Sequence, residues 1–169
     1  MTILGIDPGT ATTGYGIVEK VGSKLKYISC GVITTEKTET SPTRLKQIWD
    51  DLIELIEEYK PDVIATEQLF FSNNVTTALQ VGRTVGIVLL AAAQRNLEWF
   101  EYRPMEVKMA VVGYGAADKK QVQYMVMQLL GLGSPPKPDD AADALAVAIC
   151  HANSSHIASL KKQVGVGKK

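Results

Sequence analysis

The sequence predicts an α/β protein, a mixed five-stranded sheet flanked by helices. Three observations lead there. Short apolar runs of strand-like composition alternate with longer stretches of helical period. The first three strand runs follow one another through short turns, whereas the last two are separated by helical segments, an order that builds layers on a mixed sheet. The chain has 169 residues, enough for a single domain that buries roughly 70% of the surface its unfolded form exposes.

Taken in order, Thr2 to Asp7 is a buried strand that stops at a carboxylate and a Pro-Gly turn. Tyr15 to Glu19 and Leu25 to Thr35 are two further strands, joined by a hairpin near Val21-Gly22-Ser23. Ser41 to Tyr59 is an amphipathic helix. Leu45, Ile48, Trp49, Leu52, Ile56 and Tyr59 form its apolar stripe, Ser41 is its expected cap, and Pro42 suits its first turn. Val63 to Glu67 is a fourth strand, again ending in a carboxylate. Thr76 to Arg95 is a helix apolar almost all round, so more than one of its sides is expected to be covered: one by the sheet, another by a second subunit. Trp99 to Tyr102 is the fifth strand. Helices follow over Pro104 to Val112, Lys119 to Leu130 with Gly131 as its stop, and Asp139 to Ala152. Residues 1–153 form the expected domain. Residues 154–169 carry Lys161, Lys162, Lys168 and Lys169 without a core pattern and read as a flexible basic tail.

Hydrophobic content of 46% and charged content of 21% are those of an ordinary soluble domain. The longest apolar run, Val85 to Ala93, is far short of the ~20 residues of a spanning helix. The N-terminus enters a strand without a basic leader, so no targeting segment, no membrane contact and a cytoplasmic location are expected. Cys30 and Cys150 lack metal-ligand spacing and read as free thiols. A net charge of zero gives no general affinity for nucleic acid. Its distribution is uneven: residues 1–60 carry 7 basic and 9 acidic side chains, and residues 101–169 carry 9 and 6. If several of those 6 acids share one site, the rest of that half is basic enough to meet phosphate locally.

Four acids stand out by position. Asp7 and Glu67 end two apolar strands, and open α/β sheets build sites at such ends. Asp140 and Asp143 are three apart in the first turn of the last helix, hence on one face, where the helix dipole favours negative charge. Singly, each has an ordinary reading as a turn residue, a charge partner or a helix-start residue. Gathered together, they call for a cation, because two carboxylates ~4 Å apart repel by about 4 kcal/mol at an effective dielectric of 20. An all-carboxylate set suits Mg²⁺ or Mn²⁺ and not zinc. Two such ions about 3.5–4 Å apart activate water and stabilise the leaving oxygen of a phosphodiester.

These segments resemble the RuvC family of Holliday junction resolvases, which have the ribonuclease H-like fold. The resemblance rests on Ile-Leu-Gly-Ile-Asp-Pro-Gly-Thr at 3–10, Thr-Gly-Tyr-Gly at 13–16, Glu-Gln-Leu-Phe at 67–70, Val-Val-Gly-Tyr-Gly-Ala-Ala-Asp-Lys at 111–119 and Asp-Ala-Ala-Asp-Ala-Leu-Ala at 140–146. The first is shared with actin-like ATPases; the five in this order are specific. The resemblance implies catalysis and Mg²⁺ ligation by Asp7, Glu67, Asp140 and Asp143. It also implies a homodimer made through the 76–95 helix, paired cuts in a four-way junction and a RuvAB-type branch-migration partner. Asp140 is preferred over Asp139 for its spacing to Asp143, and relatives vary at its position.

Lys108, Lys119 and Lys120 are the expected phosphate contacts, with Lys119 starting a helix whose N–H groups also face anions. Charge alone would make them a solvated face; the resemblance favours function for Lys108 and Lys119. Arg83 and Arg103 are weaker candidates. Phe70 is expected to stack on unpaired bases near the crossover, and Phe71 is left undecided. The competing functions are an actin-like ATPase or kinase fragment, for which the chain lacks a second domain, a junction-binding protein without catalysis, and a nuclease acting on another nucleic-acid structure.

Overall fold

In the computed structural model, which describes residues 1–68 and 75–165, a central strand, β1 (Thr2–Asp7), organises the sheet. It pairs antiparallel with β2 (Thr12–Val21) and parallel with β4 (Val63–Glu67). β3 (Lys24–Thr34) extends the β2 side and β5 (Glu98–Tyr102) the β4 side, giving the order β3-β2-β1-β4-β5. β2 runs from Thr12, three residues before the expected start, because its pairing with β1 reaches Gly14 opposite Asp7 and its pairing with β3 reaches Thr34. The alternation of side chains sorts β1 cleanly. Leu4 and Ile6 face a core with Ile48, Leu52 and Ile56 of α1 (Ser41–Tyr59) and Val88, Ala91 and Ala92 of α2 (Val75–Gln94). Ile3 faces the opposite core. That core is built from the buried face of α5 (Asp139–Gly165), which lies on β1, together with Val107 and Val111 of α3 (Pro104–Val112) and Val122 and Val126 of α4 (Lys119–Leu129), both packed on α5.

Local chemistry sets the helix starts. The cap of α1 is Thr40, not Ser41: the Thr40 hydroxyl accepts from the Thr43 N–H at 3.4 Å, and Ser41 enters the helix before Pro42. Asp118 caps α4 reciprocally, accepting from the Gln121 N–H and donating its own N–H to the Gln121 side chain, both at 2.9 Å. Gly131, at φ +64°, follows the end of α4 where the sequence predicts a stop. α5 continues to Gly165, past the expected end at Ala152, since neither proline nor glycine interrupts it before that point. It is fastened to the sheet by His151, whose Nδ1 pairs with the Tyr102 hydroxyl at 2.8 Å. Burial pushes that imidazole down to about 4, so it packs as a neutral ring. Both cysteines are free, Cys150 buried and Cys30 half-buried.

Candidate active site

Asp7 is the last residue of β1 and shares the face of Ile3 and Gly5. β4 runs beside it in register, with Ile3 opposite Val63, Gly5 opposite Ala65 and Ile6 opposite Thr66. Glu67, two residues after Ala65, therefore leaves the sheet on the same face and at the same edge as Asp7. The start of α5, with Asp139 and Asp140 in its first turn and Asp143 just after it, comes to that edge.

A glycine seat makes this approach possible. A Cβ on Gly5 would lie 2.1 Å from the Ala144 carbonyl oxygen, and one on Gly14 would lie 2.0 Å from that of Asp140. Gly14 is the partner of Asp7 in the ladder. Backbone thus rests on backbone where α5 crosses β1 and β2, and the helix start is set down beside Asp7.

The electrostatics follow from that packing. Burial pushes the Asp7 carboxyl up to about 7, reinforced by the charges of Asp143, Asp140 and Glu67 and partly offset by Lys119. Burial and then Asp143 raise Glu67, while Lys108 opposes the rise. Burial also raises Asp143, against the hydrogen bond and charge of Lys119. Lys119 Nζ lies 3.0 Å from Asp143 and 3.4 Å from Asp139. Among the described residues, no group of three or more His, Cys, Asp or Glu side chains is drawn close enough to hold a metal ion as it stands. What the fold does create is an under-neutralised carboxylate edge. All four expected acids are hard oxygen donors, which fits a small divalent cation, and added positive charge relieves the repulsion felt by Asp7.

A cleft of about 180 Å³ opens on this edge, lined by Glu67, Lys108, Lys119 and Asp143 with Pro104 and Val107. Lys108 and Lys119 thus come from two different helices to one opening. Lys120 is exposed and lies outside that lining, as do Arg83 and Arg103, both also exposed. The Arg103 N–H instead bonds the Glu106 carboxylate at 2.8 Å at the start of α3. Phe70 and Phe71 fall outside the described residues.

The sequence reading missed two positioning features: the glycine seat and Arg44. Arg44 donates to the Thr35 hydroxyl at 2.8 Å and to the Thr10 carbonyl at 3.0 Å, bracing the turn that follows Asp7. Gly14 sat in a quoted motif, but nothing local told that a helix start would press on it.

Residues 3–151 match the family model described as Crossover junction endodeoxyribonuclease RuvC. The chain belongs to the RuvC family. Among RuvC relatives, that of Alkaliphilus metalliredigens is 56% identical over 96% of this chain and 99% of its own length. The RuvC of Rubrobacter xylanophilus is 53% identical over 98% of this chain and 91% of its own. The solved Thermus thermophilus RuvC superimposes with a TM-score of 0.86 at 35% identity, covering 94% of this chain and 97% of that one. A second structure, T. thermophilus RuvC in complex with Holliday junction substrate, gives 0.85 at 33% identity over 93% and 96%. The ribonuclease H-like fold expected from the sequence is borne out. The RuvC match spans Asp7, Glu67, Asp140, Asp143, Lys108 and Lys119 together.

Proposed function

We propose that the protein is a crossover junction endodeoxyribonuclease that resolves four-way (Holliday) DNA junctions during recombination and repair, with Asp7, Glu67, Asp140 and Asp143 as its reaction centre. The observation that carries the site assignment is the state of Asp7, half-buried at the end of the central strand and raised by the charges of three other carboxylates. Asp7, Glu67, Asp140 and Asp143 would hold Mg²⁺, with two ions per site and Mn²⁺ as a substitute. Bound there, the ions supply positive charge at the scissile phosphate and acidify water for an in-line displacement. The chain's own residues do the rest. Glu67 and Asp7 fix the donor set from rigid strand ends, and α5 adds the other two acids. Lys108 and Lys119 hold the DNA phosphate over the cleft. Lys119 would give up its contacts with Asp143 and Asp139 to meet phosphate, leaving Asp143 free for the donor set.

The unit that cuts is a homodimer joined through α2. Ala78, Val85, Val88, Ala91 and Ala92 bury one face of this helix, while Leu79, Leu89 and Leu90 remain 57%, 39% and 48% exposed. A Cβ on Gly86 would meet nothing within 4 Å. This second apolar face fits a second copy, which would place two acid sites on one junction. A RuvAB-type branch-migration complex is the expected partner in the cell. Among the described residues, no helix is long and apolar enough to cross a membrane.

The reading is tested by incubating the protein with a mobile four-way junction, matched duplex and single-stranded DNA, each with and without Mg²⁺. Paired nicks in opposed strands of the junction, only with Mg²⁺, are the expected result. Equal cutting of duplex, or cutting that ignores chelation, would overturn it.

A further inference from the structure

A second cleft, of about 450 Å³, adjoins the acids on the other side of β1. The first cleft takes Glu67 from the β4 side together with α3 and α4. The second is lined by Gly9 and Thr10 of the turn between β1 and β2, by Thr12 at the start of β2, by Lys37 and Arg44, and by Asp140. In the order β3-β2-β1-β4-β5 these are opposite flanks of the strand that carries Asp7. The two clefts have different charge states. On the first flank, Lys119 is paired with Asp143 and Asp139. On the second, neither Lys37 nor Arg44 has a carboxylate within ion-pair distance among the described residues.

Arg44 is also held in place. Its Nε donates to the Thr35 hydroxyl at 2.8 Å and its Nη2 to the Thr10 carbonyl at 3.0 Å. Thr35, itself buried, donates its hydroxyl to the same Thr10 carbonyl at 2.6 Å. The turn is pinned from α2 as well, by the Thr10 hydroxyl on the Gln80 carbonyl at 3.0 Å. A guanidinium has five N–H donors in a rigid fork. Two are spent on the frame, and the others belong to a cation whose rotamer is already fixed, a geometry suited to a tetrahedral anion with little further loss of entropy. A cleft next to a nuclease's acids meets one anion repeatedly, the phosphodiester of the strand being cut.

We propose that this second cleft seats the phosphodiester adjacent to the scissile one, with Arg44 and Lys37 as its cationic contacts. The cut strand is then gripped on both sides of the acids, by Lys108 and Lys119 on one flank and by Arg44 and Lys37 on the other. The proposal rests on the nuclease reading above and adds to it a second binding seat.

The test uses the full chain without divalent metal, so that binding is read apart from cleavage. Junction affinity is measured across a salt series for the wild type, Lys37→Gln and Arg44→Lys, alongside thermal unfolding. Lys37 is exposed, so Lys37→Gln is expected to unfold like the wild type. Its slope of log K against log salt should be shallower by about 0.7–0.9, the value of one lost phosphate contact. Junctions carrying a single neutral methylphosphonate are then walked through the positions flanking the scissile bond. One flanking position should cost the wild type roughly tenfold in affinity and cost Lys37→Gln and Arg44→Lys clearly less. An unchanged salt slope in Lys37→Gln, with no flanking methylphosphonate telling the variants from the wild type, overturns the second seat and leaves the nuclease reading standing. If the wild type itself shows no preference for the junction over duplex, the nuclease reading fails and the seat falls with it.

Discussion

Asp7 owes its chemistry to a residue with no side chain. Gly14, its ladder partner, leaves room for the Asp140 carbonyl to rest where a Cβ would lie 2.0 Å away. Gly14→Ala must therefore lift the start of α5 or bend the strand. Either motion moves Asp140 and Asp143 relative to Asp7, and misplacement of reacting groups by about 1 Å can cost 10²-fold in rate. Single-turnover cleavage by Gly14→Ala is expected to fall by roughly 10–100-fold, while junction binding without metal persists. Cleavage at the wild-type rate in a normally folded variant would show that the close approach does not set the acid geometry. The four acids were legible as residues because each ends a strand or opens a helix, positions with a local signal. Their dependence on Gly5 and Gly14 was not. The contact joins residues more than a hundred positions apart, and no periodicity in one chain records it. Arg44 was hidden for a related reason: inside an amphipathic helix it reads as a solvated cation, yet it braces the turn after Asp7.

At the scale of elements, period carried the assignment. Helix α1 matches its expected span of Ser41 to Tyr59, since six apolar residues repeat at helical spacing and Pro61 lies just beyond. Ends were set by finer chemistry. Two hydroxyl residues, Thr40 and Ser41, compete for the cap, and the geometry that places Pro42 inside the first turn selects Thr40. Helix α2 poses a different problem, because an apolar surround does not say which side meets the sheet. The structure divides it, with Val88 and Ala91 buried and Leu79 and Leu90 exposed. A charge on the exposed face should break the proposed dimer without harming the core. In sedimentation at micromolar concentration, the wild type is expected at twice 18.3 kDa and Leu90→Asp at 18.3 kDa. A wild type that sediments as a monomer would contradict the role given to this helix.

At the scale of the whole molecule, a chain of zero net charge meets a polyanion by segregation of charge. The acids are concentrated where α5 meets the edge of β1 and β4, and cations stand on both flanks of that edge. Burial, and then the charges of Asp143, Asp140 and Glu67, raise Asp7 to about 7. A small divalent ion and a phosphate would complete the charge balance together, and the proposed site would then couple binding of the cation to binding of DNA. Assignment of phosphodiester cleavage to this edge rests on Asp7. It is tested most directly by comparing Asp7→Asn with the wild type on a mobile four-way junction, measuring binding without metal and cleavage with Mg²⁺. Binding should be retained within a few-fold, and cleavage should fall by about 10³-fold or more, roughly 4 kcal/mol of transition-state stabilisation. Undiminished cleavage by Asp7→Asn would place the reaction elsewhere.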